Sequence, residues 1–233
     1  MENTAAISAL FRRIAPRYDL MNRLMTWGQD LRWRRAASRL LLTEQPERLL
    51  DLAAGTGDFA SIASHLIPSL REVYLVDITP EMLAYAPSKK PHREGLHWHI
   101  EVADAHSLPF PENFFDAVTV GYGMRNFSDR PQALREIYRV LRPNGMALIL
   151  ETGIPTSPLW KAIFWVYFRF YVPFLGRVLT RDREAYVYLP ESTAAFPHRE
   201  SFVYLCKEAG FSSVTYDAFW GGASILYKLR KDA

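Results

Sequence analysis

A chain of 233 residues, 49% hydrophobic and 23% charged, has the length and balance of a globular protein with one full-sized core. Its single cysteine, Cys206, excludes an internal disulfide framework and makes a reducing, cytoplasmic compartment the simplest setting. The formal net charge of +3 is small, and no zinc-ligand set or ribonucleoprotein strand points to nucleic acid.

The first ten residues lack the basic and apolar regions of a signal peptide. Residues 5–42 read as helical, with breaks near Pro16 and Gly28. This segment is rich in arginine (Arg12, Arg13, Arg17, Arg23, Arg32, Arg34, Arg35, Arg39) against Glu2, Asp19 and Asp30. A second basic stretch is Lys161, Arg169, Arg177, Arg181 and Arg183. Each reads as a solvated helix face or as a contact for anionic lipid at the inner face of a membrane.

From residue 48, strands and helices alternate. Strands are expected at Arg48–Ala53, Glu72–Ile78, His97–Ala103, Phe115–Gly121 and Met146–Glu151, with helices starting near Asp58, Pro80 and Arg130. Such alternation predicts parallel strands with crossover helices on both faces. Ala133, Leu134, Ile137, Val140 and Leu141 form one helical stripe, closed by Arg142-Pro143-Asn144-Gly145. Residues 159–179 are strongly aromatic, but Lys161, Arg169 and Arg177 interrupt them and Pro173 is expected to break the helix. They read as a core-packing helix or as an amphipathic element that lies on a membrane or lines an apolar pocket. A helix at Arg199–Ala209 and two strands, Ser213–Phe219 and Ala223–Leu229, follow, the strands joined as a hairpin at Gly221-Gly222.

The most informative stretch is Asp51-Leu52-Ala53-Ala54-Gly55-Thr56-Gly57-Asp58, a strand that turns into a helix through Gly55 and Gly57. A backbone bare of side chains there lets a nucleotide-like ligand lie against it. With Ala60 the loop meets the loose pattern G-x-G-x-x-G/A, which alone is weak. Asp77, followed by Ile78, stands at the end of the second strand, where a carboxylate accepts from two ribose hydroxyls. NAD and S-adenosylmethionine share such a ribose, and Asp77 also reads as a cap before Thr79-Pro80. Three features favour the sulfonium cofactor. Asp51 can hold the ammonium end of a methionine moiety. Asp104 and Ala105, after the third strand, can take the adenine. The C-terminal hairpin, with no separate substrate domain, suits a methyltransferase better than a dehydrogenase. His97 and His99 share a strand face, but no nearby ligand completes a metal site.

Over nearly its whole length the chain resembles the ubiquinone/menaquinone biosynthesis C-methyltransferases. The resemblance rests on Tyr18-Asp19-Leu20-Met21-Asn22, Trp33-Arg34, DLAAGTGD at 51–58, Ala103-Asp104-Ala105 and Leu108-Pro109-Phe110-Pro111. It continues in Gly123-Met124-Arg125-Asn126-Phe127-Ser128-Asp129, Tyr188-Leu189-Pro190-Glu191-Ser192 and Phe196-Pro197. It implies a Rossmann-like α/β fold of class I, a mostly parallel seven-stranded sheet ending in an antiparallel hairpin. It implies one domain over 1–233, with an N-terminal helical lid over about 1–45 and a helical insertion over about 153–197. It implies cofactor contacts at Thr56, Asp77, Asp104 and Ala105, with a weaker one at Gly121, where the family often has serine. Asp30 stands where the family usually has histidine. Tyr18, Asp19 and Asn22 are expected to close over the cofactor.

The implied reaction is C-methylation of a prenylated quinol by S-adenosylmethionine. A ring carbon becomes nucleophilic once the neighbouring hydroxyl, with a pKa near ~10, loses its proton. A cation beside that hydroxyl favours the phenolate. Arg125 is the first candidate, with an ion pair to Asp129 as its structural alternative. The base stays open among Asp129, Tyr188, Glu151 and water. Rival readings are a methyltransferase acting on a lipid amine or small phenolic, a cofactor-binding module without turnover, and an NAD enzyme. The oligomeric state is open, a homodimer included.

Overall fold

The computed structural model describes residues 2–179 and 184–233, so Arg181 and Arg183 of the second basic stretch lie outside the described residues. Helices α1 (Glu2–Ile14), α2 (Tyr18–Thr26) and α3 (Gln29–Leu40) come first, separated by a 3-10 turn at Ala15–Arg17 and by Trp27-Gly28, both left-handed. The two breaks fall where Pro16 and Gly28 place them.

Next comes the alternating part: β1 (Arg48–Leu52), α4 (Asp58–Leu66), β2 (Glu72–Asp77), α5 (Pro80–Leu83), β3 (His97–Val102), β4 (Phe115–Gly121), α6 (Arg130–Val140) and β5 (Leu141–Thr152). Helical segments α7 (Pro158–Val166), α8 (Val172–Leu179) and α9 (Glu184–Ala195) precede α10 (Glu200–Glu208), β6 (Ser213–Phe219) and β7 (Ser224–Arg230). The seven strands form one sheet in the order β3-β2-β1-β4-β5-β7-β6. All pairs from β3 to β5 are parallel, and β7 runs antiparallel to both β5 and β6.

Successive residues of a strand face opposite layers, so the central strands feed two cores. Leu50, Leu52, Val118 and Val120 meet α6 and α10 through Leu134, Ile137 and Phe202. Leu49, Val73, Leu75 and Ala117 meet α3 and α4 through Ala37, Leu41, Phe59 and Ala63. A third, smaller cluster joins Leu10, Ile14 and Met21 of α1–α2 to Val172 of α8.

Two expectations change. Strand β5 starts at Leu141 rather than Met146, because Leu141 pairs with Phe115 before the register slips. The expected turn at Arg142–Gly145 persists as a bulge inside the strand, with Asn144 left-handed (φ 61°) and Arg142 paired to Asp116 at 2.7 Å. Pro173 does not end the aromatic helix. A π-helical turn at Tyr167–Tyr171 precedes it, and α8 runs on through Pro173. Among the described residues no helix is long and apolar enough to cross a membrane.

Candidate active site

The site lies at the carboxyl ends of the parallel strands, where their order reverses between β1 and β4. Gly55 (φ 56°) and Gly57 (φ 83°) are left-handed, and a Cβ on Gly57 would come within 3.0 Å of Ala86 Cβ. Only glycine meets both demands.

Asp51, buried in β1, accepts from Ala60 N at 3.0 Å and from Thr119 Oγ1 at 2.8 Å. Burial pushes its carboxyl up to about 7, against the pull of those two bonds and of Arg34. Asp77 accepts from Gly55 N and Thr79 N, each at 2.9 Å. Its burial raises its pKa and the two backbone bonds oppose the rise. The carboxylate thus braces the glycine loop and the turn before Pro80 while forming a wall of a crevice of about 80 Å³.

Ile78, Asp104, Ala105 and Gly121 line the same crevice. Asp104 Oδ1 accepts from His106 N at 2.9 Å and lies 2.5 Å from His106 Nδ1. His106 Nε2 accepts from Asp129 N at 3.2 Å, which puts the ring proton on Nδ1. Tyr18 borders this crevice and two further cavities.

Thr56 is buried, and its hydroxyl serves the protein: it donates to Asp19 Oδ1 at 2.6 Å and accepts from Lys89 Nζ at 2.8 Å. Lys89 also reaches Asp19 at 2.5 Å and Asp58 at 2.6 Å. Arg23 bridges Asp58 and Asp30, and Asp30 accepts from Arg34 NH1 at 3.1 Å. Burial opposes ionisation of Asp58, but Arg34, Lys89 and Arg23 outweigh it and hold its carboxyl down at about 2. Lys89, Arg23 and Asp58 are passed over in sequence reasoning, because their partners come from helices far apart in the chain. Asp30 and Arg34, four apart on one helix, are the signal that could have exposed the network.

Beside the crevice opens a cavity of about 590 Å³. Its apolar walls come from α1, α2 and the α7–α8 segment, including Phe11, Met21, Phe164, Phe168 and Val172. Its polar end holds Asp30, Arg34, Tyr122, Arg125 and Thr152. Trp27, Trp160 and Trp220 line it and are also exposed, so they mark its mouth. Trp27 lies 5.8 Å from Trp220, and Trp33 lies 5.7 Å from Trp220.

Arg125 does not pair with Asp129. Its NH1 donates to Glu151 Oε1 at 2.7 Å and to Tyr122 O at 2.6 Å, and its backbone N donates to Glu151 Oε2 at 3.0 Å. The Asp129 carboxylate instead caps α6 by accepting from Gln132 N at 2.9 Å, and it lines neither cavity. Arg125 Nε is buried without a partner among the described residues. Tyr188 donates to Asn126 Oδ1 at 2.9 Å and borders the large cavity. Burial raises its pKa, against the charge of Arg125.

The family model described as the ubiE/COQ5 methyltransferase family matches residues 1–230. The chain belongs to this family. It is 45% identical over 218 residues to a demethylmenaquinone methyltransferase of Thermus thermophilus, covering 94% of this chain and 98% of that one. It is 38% identical to a ubiquinone/menaquinone biosynthesis C-methyltransferase of Geobacter sp., covering 97% and 96% of the two chains. In fold it is similar to a SAM-dependent methyltransferase of Thermotoga maritima, with a TM-score of 0.64 at 19% identity over 96% of this chain and 99% of that one. This methyltransferase therefore uses S-adenosylmethionine, and the crevice chemistry fits it. Asp77 and Asp104 line the crevice, and the buried Asp51 lines the small cavity at the glycine loop.

Proposed function

We propose that this methyltransferase transfers a methyl group to a ring carbon of a prenylated quinol, demethylmenaquinol or a ubiquinol precursor. The observation that carries the reading is Arg125. Its buried guanidinium, held by Glu151, lines the polar end of an apolar cavity. A fixed cation in apolar surroundings favours the anionic form of a phenol beside it, and a quinol oxygen is the group that fits there. Glu151 and the Tyr122 carbonyl fix the guanidinium, so Arg125 steadies the oxyanion without giving up its proton. Tyr188, its proton held by burial, serves as a donor rather than as the base.

Asp51, Gly55, Thr56, Asp77, Ile78, Asp104, Ala105 and Gly121 form the cofactor side, with Gly57 shaping the loop behind it and Tyr18 between donor and acceptor. S-adenosylmethionine, when bound, supplies an electrophilic methyl group. Ligand pockets usually enclose roughly 300 Å³ or more, so the crevice of about 80 Å³ must widen. Ile7, Phe11 and Tyr18 of α1–α2 narrow it. These helices thus act as a lid that opens for the cofactor and excludes water once closed.

The long prenyl tail places the enzyme on a membrane surface. Leu159, Ile163, Val166, Phe170 and Phe174 are exposed at helical spacing, with exposed Lys161 and Arg169 among them, beside the tryptophan-lined mouth. That combination suits an anionic bilayer. An assay of the purified enzyme with methyl-labelled S-adenosylmethionine and demethylmenaquinol tests the activity. Label on a ring carbon is expected. Label only on an added phenol or lipid amine would overturn the quinol reading.

A further inference from the structure

We propose that Arg34 is the residue that grips the carboxylate of the cofactor's methionine moiety, through its Nε and NH2 edge. The proposal rests on the S-adenosylmethionine reading and adds a recognition role to a residue outside the crevice that holds the ribose acid.

Arg34 is buried in α3 and borders a small third cavity of about 20 Å³, together with Asp51, Gly55, Asp58 and Gly121. One side of the guanidinium is spoken for: NH1 donates to Asp30 O at 3.2 Å and to Asp30 Oδ2 at 3.1 Å. The other side faces Gly121. A Cβ built there would lie 3.6 Å from Arg34 Nε and 3.8 Å from NH2. Nε and NH2 are the pair of donors that hold a carboxylate with two parallel bonds. The Tyr122 ring lies beneath the guanidinium, its centroid 5.1 Å from Cζ, and fixes its plane.

The cavity therefore presents an acid, Asp51, and a cation, Arg34, to the same small space, while the third charge on its wall, Asp58, is already paired with Arg23 and Lys89. That is the charge pattern of an α-amino acid zwitterion: the carboxylate of Asp51 for the ammonium, the guanidinium of Arg34 for the carboxylate. Gly121 has a second consequence. A side chain there would press on Phe59 at 3.0 Å and crowd the Arg34 edge. The chain that lacks a side-chain hydroxyl at this position thus has room for an arginine edge in its place. Asp30 is what sets that edge: it is buried, fixed by Thr26 Oγ1 at 2.9 Å and by Arg23, and it holds Arg34 from behind.

The test is calorimetric binding of S-adenosylmethionine and of its decarboxylated form, which lacks only the group that Arg34 would hold. The parent protein is expected to favour the complete cofactor by about 100-fold. Arg34→Met is expected to reduce that preference to a few-fold, with affinity for the decarboxylated compound unchanged. Arg34→Lys keeps the charge and the pairing with Asp30 but has no two-pronged edge, and it is expected to fall between the two. Three results overturn the proposal: a parent that binds both compounds equally, an Arg34→Met variant that weakens both in equal proportion, and an Arg34→Lys variant with the full parental preference. The first and third need no methionine variant to fold. Absence of heat with either compound would instead reject the cofactor reading.

Discussion

Asp51 and Arg125 are both buried charges, and they respond oppositely to their surroundings. Among the described residues no cation hydrogen-bonds to Asp51, so burial pushes its carboxyl up to about 7. An incoming ammonium favours the carboxylate, so cofactor binding below pH 7 expels a proton. Affinity is expected to rise with pH up to about 7 and then level off. Calorimetry in buffers of differing ionisation heat should show proton release at pH 6 and almost none at pH 8, and Asp51→Asn should abolish it. For stability the sign is reversed. The folded chain keeps a proton that the unfolded chain loses near pH ~4, so this residue's contribution declines as pH climbs from about 4 to about 7.

Arg125 has a full partner in Glu151. Removing the arginine alone strands a buried carboxylate, at a cost of about 3–5 kcal/mol. The pair Arg125→Met with Glu151→Gln is the cleaner variant. It should lower kcat about 100-fold or more while S-adenosylmethionine affinity stays within a few-fold. A parental kcat would remove Arg125 from the reaction. Asp77→Ala should weaken cofactor binding at least ~10-fold, since it deletes a charged acceptor and frees the Gly55 and Thr79 amides. Unchanged affinity would reject the ribose assignment. That Asp77 and Asp104 meet at one crevice was legible because the first ends a strand and the second begins the loop after the next one. The partner of Arg125 was not. Asp129 is close in sequence, but an N-cap uses up its carboxylate, whereas Glu151 arrives from a neighbouring strand.

Among elements, strand limits in the sheet from β1 to β4 were legible to within one residue. Apolar runs there end at glycine, proline or aspartate, and nothing tertiary competes. At β5 a long-range pairing overrode a local turn. The aromatic segment was legible as amphipathic but not in its form, because a π-turn depends on what it packs against. Tyr167 donates its hydroxyl to Met25 O, and Tyr171 reaches Leu24 O at 3.4 Å. The exposed stripe on α7–α8 predicts association with anionic vesicles that weakens with salt. Ile163→Glu with Phe170→Glu should reduce sedimentation with such vesicles about tenfold or more, with no change in thermal stability. Undiminished association would place the contact elsewhere.

Across the whole molecule, sheet and helices α1–α2 differ in what holds them. The central strands β1, β4 and β5 are buried on both faces, while α1 is tied down by the small cluster around Met21, the Ser8–Thr79 contact at 3.1 Å and an exposed Arg12–Glu81 pair at 3.8 Å. Amide hydrogen exchange should therefore be fast in residues 5–26 of the free protein and slow there once S-adenosylhomocysteine is bound, with β1 and β4 protected throughout. Protection that did not change on binding would mean that these helices are not a lid.

The placement of the indoles has a practical result. Of six tryptophans, Trp27, Trp33, Trp160 and Trp220 line the large cavity, and Trp165 packs on Phe164 at 5.8 Å, leaving only Trp98 away from it, on the edge strand β3, where its Nε1 donates to Ser64 Oγ of α4 at 3.1 Å. Nature has in effect labelled the entrance. Intrinsic ultraviolet emission, with no dye attached, becomes a local spectroscopic reporter: lipid arrival dries the rim and shifts the colour to the blue, and a redox-active ring sliding past it dims the light.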